Sequence, residues 1–274
     1  WLSGNGIYYN RNQLLCTMKN LWPLLKRKQS MEISQAAFAA ILSQTAYADQ
    51  AKPTSVCKQH GFKSRLISNN GAEVLVAKNR KELWFAFRGT EPTKINDVMA
   101  DLKVVRNSAI AGGKVHSGFQ DELNELWIDC LKEIEYNSQL KNPKKVYFTG
   151  HSLGAALATI AATRTQADKL YTFGSPRVGG RKFAKNLKCP HERYVNNNDI
   201  VTKVPPTFLG FVHCGEERYF NAYGLERSPT YWQRWKDVFR GIWSGWKSGK
   251  FFDMVTDHGM GNYVRLAAKT DEEE

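Results

Sequence analysis

Residues 146 to 160, VYFTGHSLGAALATI, set one serine between two glycines, directly after a short apolar run and directly before an alanine-rich one. The apolar run reads as a buried strand, and Leu153 to Arg164 as a helix. Gly150 and Gly154 then flank a turn too sharp for a Cβ on either side, which leaves the Ser152 hydroxyl clear of the sheet. A helix that begins just after the serine also aims its free N–H groups at any anion formed there. A small-residue turn without chemistry is the plainer reading, but a strand before and a helix after favour a nucleophile.

Working outward, residues 62–68 and 73–78 are short apolar segments split by Asn69-Asn70-Gly71, a hairpin signal, and 83–89 (LWFAFRG) reads as a third strand. Ile95, Val98, Met99 and Leu102 recur at the spacing of one helix face. So do Leu123, Leu126, Trp127, Cys130, Leu131 and Ile134. Residues 145–148, 169–173 and 192–195 are further strands, and 31–48 reads as a first helix rather than a cleaved leader. Strands alternating with helices predict the α/β class, with a mostly parallel central sheet and helices on both faces.

A serine hydroxyl needs a base, and the base a carboxylate to orient it. In α/β-type hydrolases the chain order is Ser, acid, His. Of the histidines after Ser152, His191 precedes a strand, at the wrong end of the sheet, and His213 fits a structural role. His258, in TDHGMGNY, is the candidate base. Asp168 also precedes a strand, whereas Asp199 follows one, at the carboxyl edge where ligands gather. Asp199 is therefore the candidate acid, with Asp257 as the fallback. The N–H of Leu153 is one expected oxyanion donor, and the loop Arg88-Gly89-Thr90 after an earlier strand is placed to supply the other, although Thr90 reads equally as a turn residue.

These residues belong to a longer series. FRGTE (87–91), ADL (100–102), VHSGF (115–119), GHSLG (150–154), GSPRVG (174–179), NNNDIVTKVPP (196–206) and the late His258 resemble, in order, the motifs of the class 3 lipases, the fungal-lipase-like α/β hydrolases. The resemblance implies an α/β-hydrolase fold, a triad of Ser152, Asp199 and His258, and an oxyanion hole made by Thr90, through its N–H and hydroxyl, and by Leu153. It places His116 and His213 in structural motifs. It implies ester hydrolysis without a metal or organic cofactor, on water-insoluble acylglycerols.

Two segments depart from the fungal pattern. The helix after Thr90, usually an amphipathic lid with a tryptophan, carries only Ile95, Val98, Met99 and Leu102 as apolar residues. Residues 230–252, TYWQRWKDVFRGIWSGWKSGKFF, place Trp232, Trp235, Phe239, Trp243 and Trp246 with other apolar residues in an arc of about 140 degrees, edged by Lys236, Arg240 and Lys247. Packing against the core and lying in a lipid interface both explain that face. The working hypothesis is a second lid or interface anchor beside the base, and intact emulsion hydrolysis after its deletion from a folded protein would sink it.

Composition sets the remaining bounds. A chain of 274 residues forms one large domain, here 31–270, preceded by a basic arm over 1–30 that carries no acid. A net charge of +13 favours anionic partners without choosing among them. Charge alone is weak support for nucleic acid, no supporting motif occurs, and no apolar run is long enough for a transmembrane segment. Nothing in the motifs indicates an oligomeric state. Of the five cysteines, Cys189 and Cys214 flank one region, and two buried thiols are expected rather than a bridge. Without a convincing leader, a cytoplasmic location is expected over secretion. The leading function is a triacylglycerol lipase. Its rivals are an esterase for soluble or feruloyl-type esters, a phospholipase A1-type activity, and a catalytically silent membrane-binding module.

Overall fold

A computed structural model of the chain describes residues 33–48, 51–89, 105–197, 199–221, 225–227 and 258–273. The basic arm, Thr90, the helix expected around Ile95 to Leu102, the Trp-rich 230–252 segment and Asp257 lie outside the described residues.

The chain enters through helices α1 (Gln35–Thr45) and α2 (Ala51–Gln59), then runs through strands β1 (Lys63–Asn69), β2 (Ala72–Lys78) and β3 (Glu82–Phe87). Asn70 and Gly71 both adopt positive φ, 47° and 85°, as a two-residue hairpin turn requires, so the hairpin expected from Asn69-Asn70-Gly71 forms and pairs Asn69 with Ala72. A small hairpin follows, β4 (Arg106–Ser108) and β5 (Lys114–His116), and then helix α3 (Ser117–Ser138). The remaining elements are β6 (Lys145–His151), α4 (Leu153–Thr163), β7 (Lys169–Phe173), α5 (Arg181–Asn186), β8 (His191–Asn196), β9 (Glu216–Phe220), β10 (Glu226–Arg227) and α6 (Met260–Glu273).

Eight of the strands form one sheet in the order β1-β2-β3-β6-β7-β8-β9-β10. Pairing is parallel from β3 through β9 and antiparallel at both edges. Period-two side chains divide the core between the faces. Val74, Val76, Phe85, Phe87 and Phe148 join Leu123, Leu126 and Leu157 of α3 and α4 on one side. Leu75, Ala77, Trp84, Ala86 and Tyr147 join Phe38 and Leu42 of α1 and Tyr263 of α6 on the other. Each large apolar side chain so buried contributes roughly 1.5–3 kcal/mol. Trp84 lies flat on Tyr147 with ring centroids 4.4 Å apart.

Helix α4 is buried from Gly154 to Ala162, which is why its sequence is almost entirely small or apolar. A Cβ on Gly154 would fall 2.2 Å from the Phe87 carbonyl oxygen, so only glycine lets the helix start this close to β3. Among the described residues no helix is long and apolar enough to cross a membrane.

Several elements went unforeseen. Three-residue strands such as β4 and β5 carry no readable period. Helix α6 does carry one, since Met260, Tyr263 and Ala267 recur at helical spacing and are all buried. The cysteine expectation needs correction: Cys189 and Cys214 are free thiols, but neither is fully buried, because both sit in connections at the β8–β9 edge of the sheet rather than inside it.

Candidate active site

Strand β6 ends in the core and the chain reverses within one residue. Ser152 takes φ 59° and ψ −127°, a conformation that costs a non-glycine residue on the order of 1–3 kcal/mol. Its N–H donates to the Phe173 carbonyl at 3.0 Å, and its carbonyl accepts from Ala155 N–H at 3.0 Å. Both flanking glycines are required sterically: a Cβ on Gly150 would meet Gly154 backbone atoms at 2.4 Å, and Gly154 is pressed against β3 as above. Leu153, half-buried, is the first residue of α4, and helix-initial N–H groups have no partner within the helix.

Asp199 follows β8 and is wholly buried. Val201 N–H donates to Oδ1 at 2.9 Å, while His258 Nδ1 and the Tyr263 hydroxyl donate to Oδ2 at 2.8 and 2.5 Å. Three donors thus converge on the two carboxyl oxygens. With Nδ1–H committed to that carboxylate, His258 presents an unprotonated Nε2, which is buried and has no hydrogen-bond partner among the described residues. This is the tautomer a general base needs.

The two halves of the site meet at the end of β7. Ser152 is bonded to Phe173, and the next residue, Gly174, has φ 57°. A Cβ there would lie 2.8 Å from Asp199 Oδ2 and 2.9 Å from His258 Cε1, so glycine leaves the space that the acid and base occupy. Ser152, Asp199 and His258 are thus brought together at the carboxyl ends of β6, β7 and β8.

Other residues of the site were not assigned from sequence. The His151 ring lies against His258, centroids 4.4 Å apart, and its Nε2–H donates to the His258 carbonyl at 2.7 Å. Nδ1 then accepts from the Tyr47 hydroxyl at 2.9 Å. Burial, reinforced by His258 beside it, holds His151 well below the usual histidine range, so it stays neutral. Burial also raises the Tyr47 hydroxyl, which remains a donor. Tyr47, in the sequence QTAYA, and Tyr263, five residues after His258, carried no local signal because both act across the fold.

The other expected residues are also placed. Asp168 sits at the opposite edge of the sheet, accepting from Val146 N–H at 2.7 Å. His191, also at that edge, bonds Thr172 Oγ1 at 2.8 Å, and His213 Nε2 donates to the Thr202 carbonyl at 2.7 Å. His116 packs on Phe119, centroids 4.3 Å apart. Gly89, whose Cβ would clash with Tyr47 Oη at 2.4 Å and the His151 carbonyl at 2.5 Å, brings the loop before Thr90 against the serine turn. Thr90, Ile95, Val98, Met99, Trp232, Trp235, Phe239, Trp243 and Trp246 fall outside the described residues.

The chain is similar to known proteins. The lipase of Rhizomucor miehei is 35% identical over 168 residues, covering 56% of this chain and 46% of that protein, and the chain spans about half the length of the curated relatives it matches. The solved R. miehei triacylglyceride lipase superposes with a TM-score of 0.66 at 27% identity, covering 88% of this chain and 98% of that one. A fungal lipase–inhibitor complex gives 0.61 at 30% identity, covering 73% and 84%. A relative from Malassezia restricta, 32% identical over 55% of this chain and 52% of its own, is named a secreted mono- and diacylglycerol lipase. That finding overturns the cytoplasmic expectation. The family described as Lipase (class 3) matches residues 84–209, which run from β3 through the serine turn to beyond Asp199. With that match and 30% identity across 84% of a solved fungal lipase, the chain belongs to the class 3 lipase family.

Proposed function

We propose that the chain is a serine hydrolase of carboxylic esters, acting on acylglycerols at a lipid–water interface. The reading is carried by one observation, the buried His258 held through Nδ1 by Asp199 with its Nε2 unpartnered beside the strained serine turn. His258 Nε2 takes the Ser152 proton as Oγ attacks the ester carbonyl carbon, and returns it to the departing alcohol oxygen. Water then adds to the acyl enzyme by the same relay, releasing the fatty acid. Leu153 N–H and Thr90 are the proposed oxyanion donors, and donors of this kind are typically worth about 3 kcal/mol of barrier each.

The segments carrying Ile95, Val98 and Met99, and Trp232 through Trp246, are proposed to cover the site in water and open at an interface. Residues 31–270 are read as one catalytic domain, a reading supported by the two apolar clusters sharing a single sheet.

The test is the hydrolysis rate against tributyrin concentration through its solubility limit, for the natural chain and for Ser152→Ala. A jump once emulsion forms, with the variant slower by at least about 10⁴-fold, is expected. A smooth saturating curve abolished by the same substitution would mean a soluble-ester esterase. A fully active variant would end the serine mechanism.

A further inference from the structure

Charge is unevenly compensated over the described surface. On other parts of the fold several cations meet carboxylates: Arg65 and Lys78 bond Glu133 at 2.9 and 3.0 Å, Lys169 bonds Glu192 at 2.6 Å, and Arg193 bonds Glu217 at 2.8 Å. Residues 105–120, 174–190 and 200–215 contain no Asp or Glu. The fold joins these three segments into one face. Val115 bridges Gly179, and Gly179 bridges Val212. Asn186 Nδ2 donates to the Ala111 carbonyl at 2.6 Å, and Arg106 reaches the Gly210 carbonyl at 3.4 Å while lying over the Phe211 ring.

Arg106, Lys114, Arg181, Lys182, Lys185 and Lys188 are exposed on this face, and none has a carboxylate partner among the described residues. Large apolar side chains stand out between them. Ile110 at the β4–β5 hairpin tip is 72% exposed, Phe208 84% and Val105 52%, half of the exposed large apolar residues among those described. Isolated apolar tips set among unpaired cations suit a surface that is anionic outside and greasy just beneath. Nucleic acid offers nothing to an isoleucine at a hairpin tip, and a protein partner calls for a contiguous apolar patch instead.

We infer that this face docks onto phospholipid bilayers rich in anionic headgroups, with the cations at phosphate depth and Ile110 and Phe208 in the interface. Docking is separate from hydrolysis, so the full chain carrying Ser152→Ala is the test protein, and failure here leaves the proposed chemistry standing. The measurement is co-sedimentation with vesicles of pure phosphatidylcholine and with vesicles doped with phosphatidylglycerol. Each cation near an anionic surface changes partitioning roughly fivefold. Reversing three at once, Lys182→Glu, Lys185→Glu and Lys188→Glu, is expected to weaken phosphatidylglycerol-dependent binding by at least about a hundredfold. The same reversal at Lys141, Lys144 and Lys145, equal in net charge, is expected to cost far less, and Ile110→Ser to weaken binding without altering its charge dependence. Equal losses from the two triple variants would reduce the effect to net charge and overturn the inference. So would binding indifferent to phosphatidylglycerol, or a stronger grip through the same three lysines on a duplex oligonucleotide.

Discussion

Two buried histidines at opposite ends of β8 show what a carboxylate changes. His191, the first residue of the strand, is 6% exposed and bonds only the Thr172 hydroxyl among the described residues, with its Nδ1 unpartnered. Burial, with Arg193 adding to it, pushes its pKa down to about 3. His258, beyond the other end, is 3% exposed but faces Asp199 at 2.8 Å. An imidazole in the first environment cannot take up a proton near neutral pH, whereas one in the second stands against a carboxylate that fixes its orientation. His213 repeats the first case, held well below its usual range by burial with its Nε2–H given to a backbone carbonyl. Of the three histidines downstream of the serine, the one that meets an acid is the one that sequence order nominates as the base.

The largest effect expected follows from removing that acid while keeping its shape. Asp199→Asn leaves packing intact but offers His258 an amide, whose N–H favours the tautomer with the proton on Nε2, the wrong one for a base. A fall of about 10⁴ in kcat on tributyrin is expected, with the unfolding midpoint little changed. An active variant would mean that His258 needs no carboxylate. A smaller effect is expected from Tyr263→Phe, which removes the 2.5 Å bond to Oδ2 and also the acceptor of Asn196 N–H at 3.1 Å. A fall of roughly tenfold in kcat at unchanged KM, and about 1–3 kcal/mol in denaturant stability, is expected. A change in KM alone would place Tyr263 in substrate binding rather than in holding the acid.

This contrast also marks how far the sequence could be read. The serine turn was legible because its requirement is local: two glycines, a strand before, a helix after, within fifteen residues. Asp199 and His258 were nominated by chain order, and Asp199 also by the end of the strand it follows. Tyr47, His151 and Tyr263 were not assigned, because each bonds a residue 64 to 107 positions away, and only the folded sheet brings such partners together. Gly174 lay within a recognised motif, yet its reason, the space taken by Asp199 and His258, is a three-body fact. The hairpin of Asn70 and Gly71 and the parallel strands followed from turn chemistry and apolar runs, whereas β4, β5 and α5 are held by neighbours more than by their own pattern.

The smallest effect on activity, and the sharpest on stability, is expected at the other end of β8. Because His191 titrates near 3 when folded and near 6.5 when unfolded, the unfolded chain binds the extra proton between those values. The stability this histidine contributes is fully present above about pH 6.5, and it is lost at up to roughly 1.4 kcal/mol per pH unit as the pH falls toward 3. His191→Gln keeps a hydrogen-bonding group for Thr172 and removes the titration. Its urea-unfolding free energy is expected to decline less steeply than that of the natural chain between pH 6 and 4, with kcat on tributyrin unaltered at neutral pH. Parallel declines in the two proteins would mean that His191 is hydrated or paired in solution, and the distinction between a histidine silenced by burial and one held by a carboxylate would then rest on Asp199 alone.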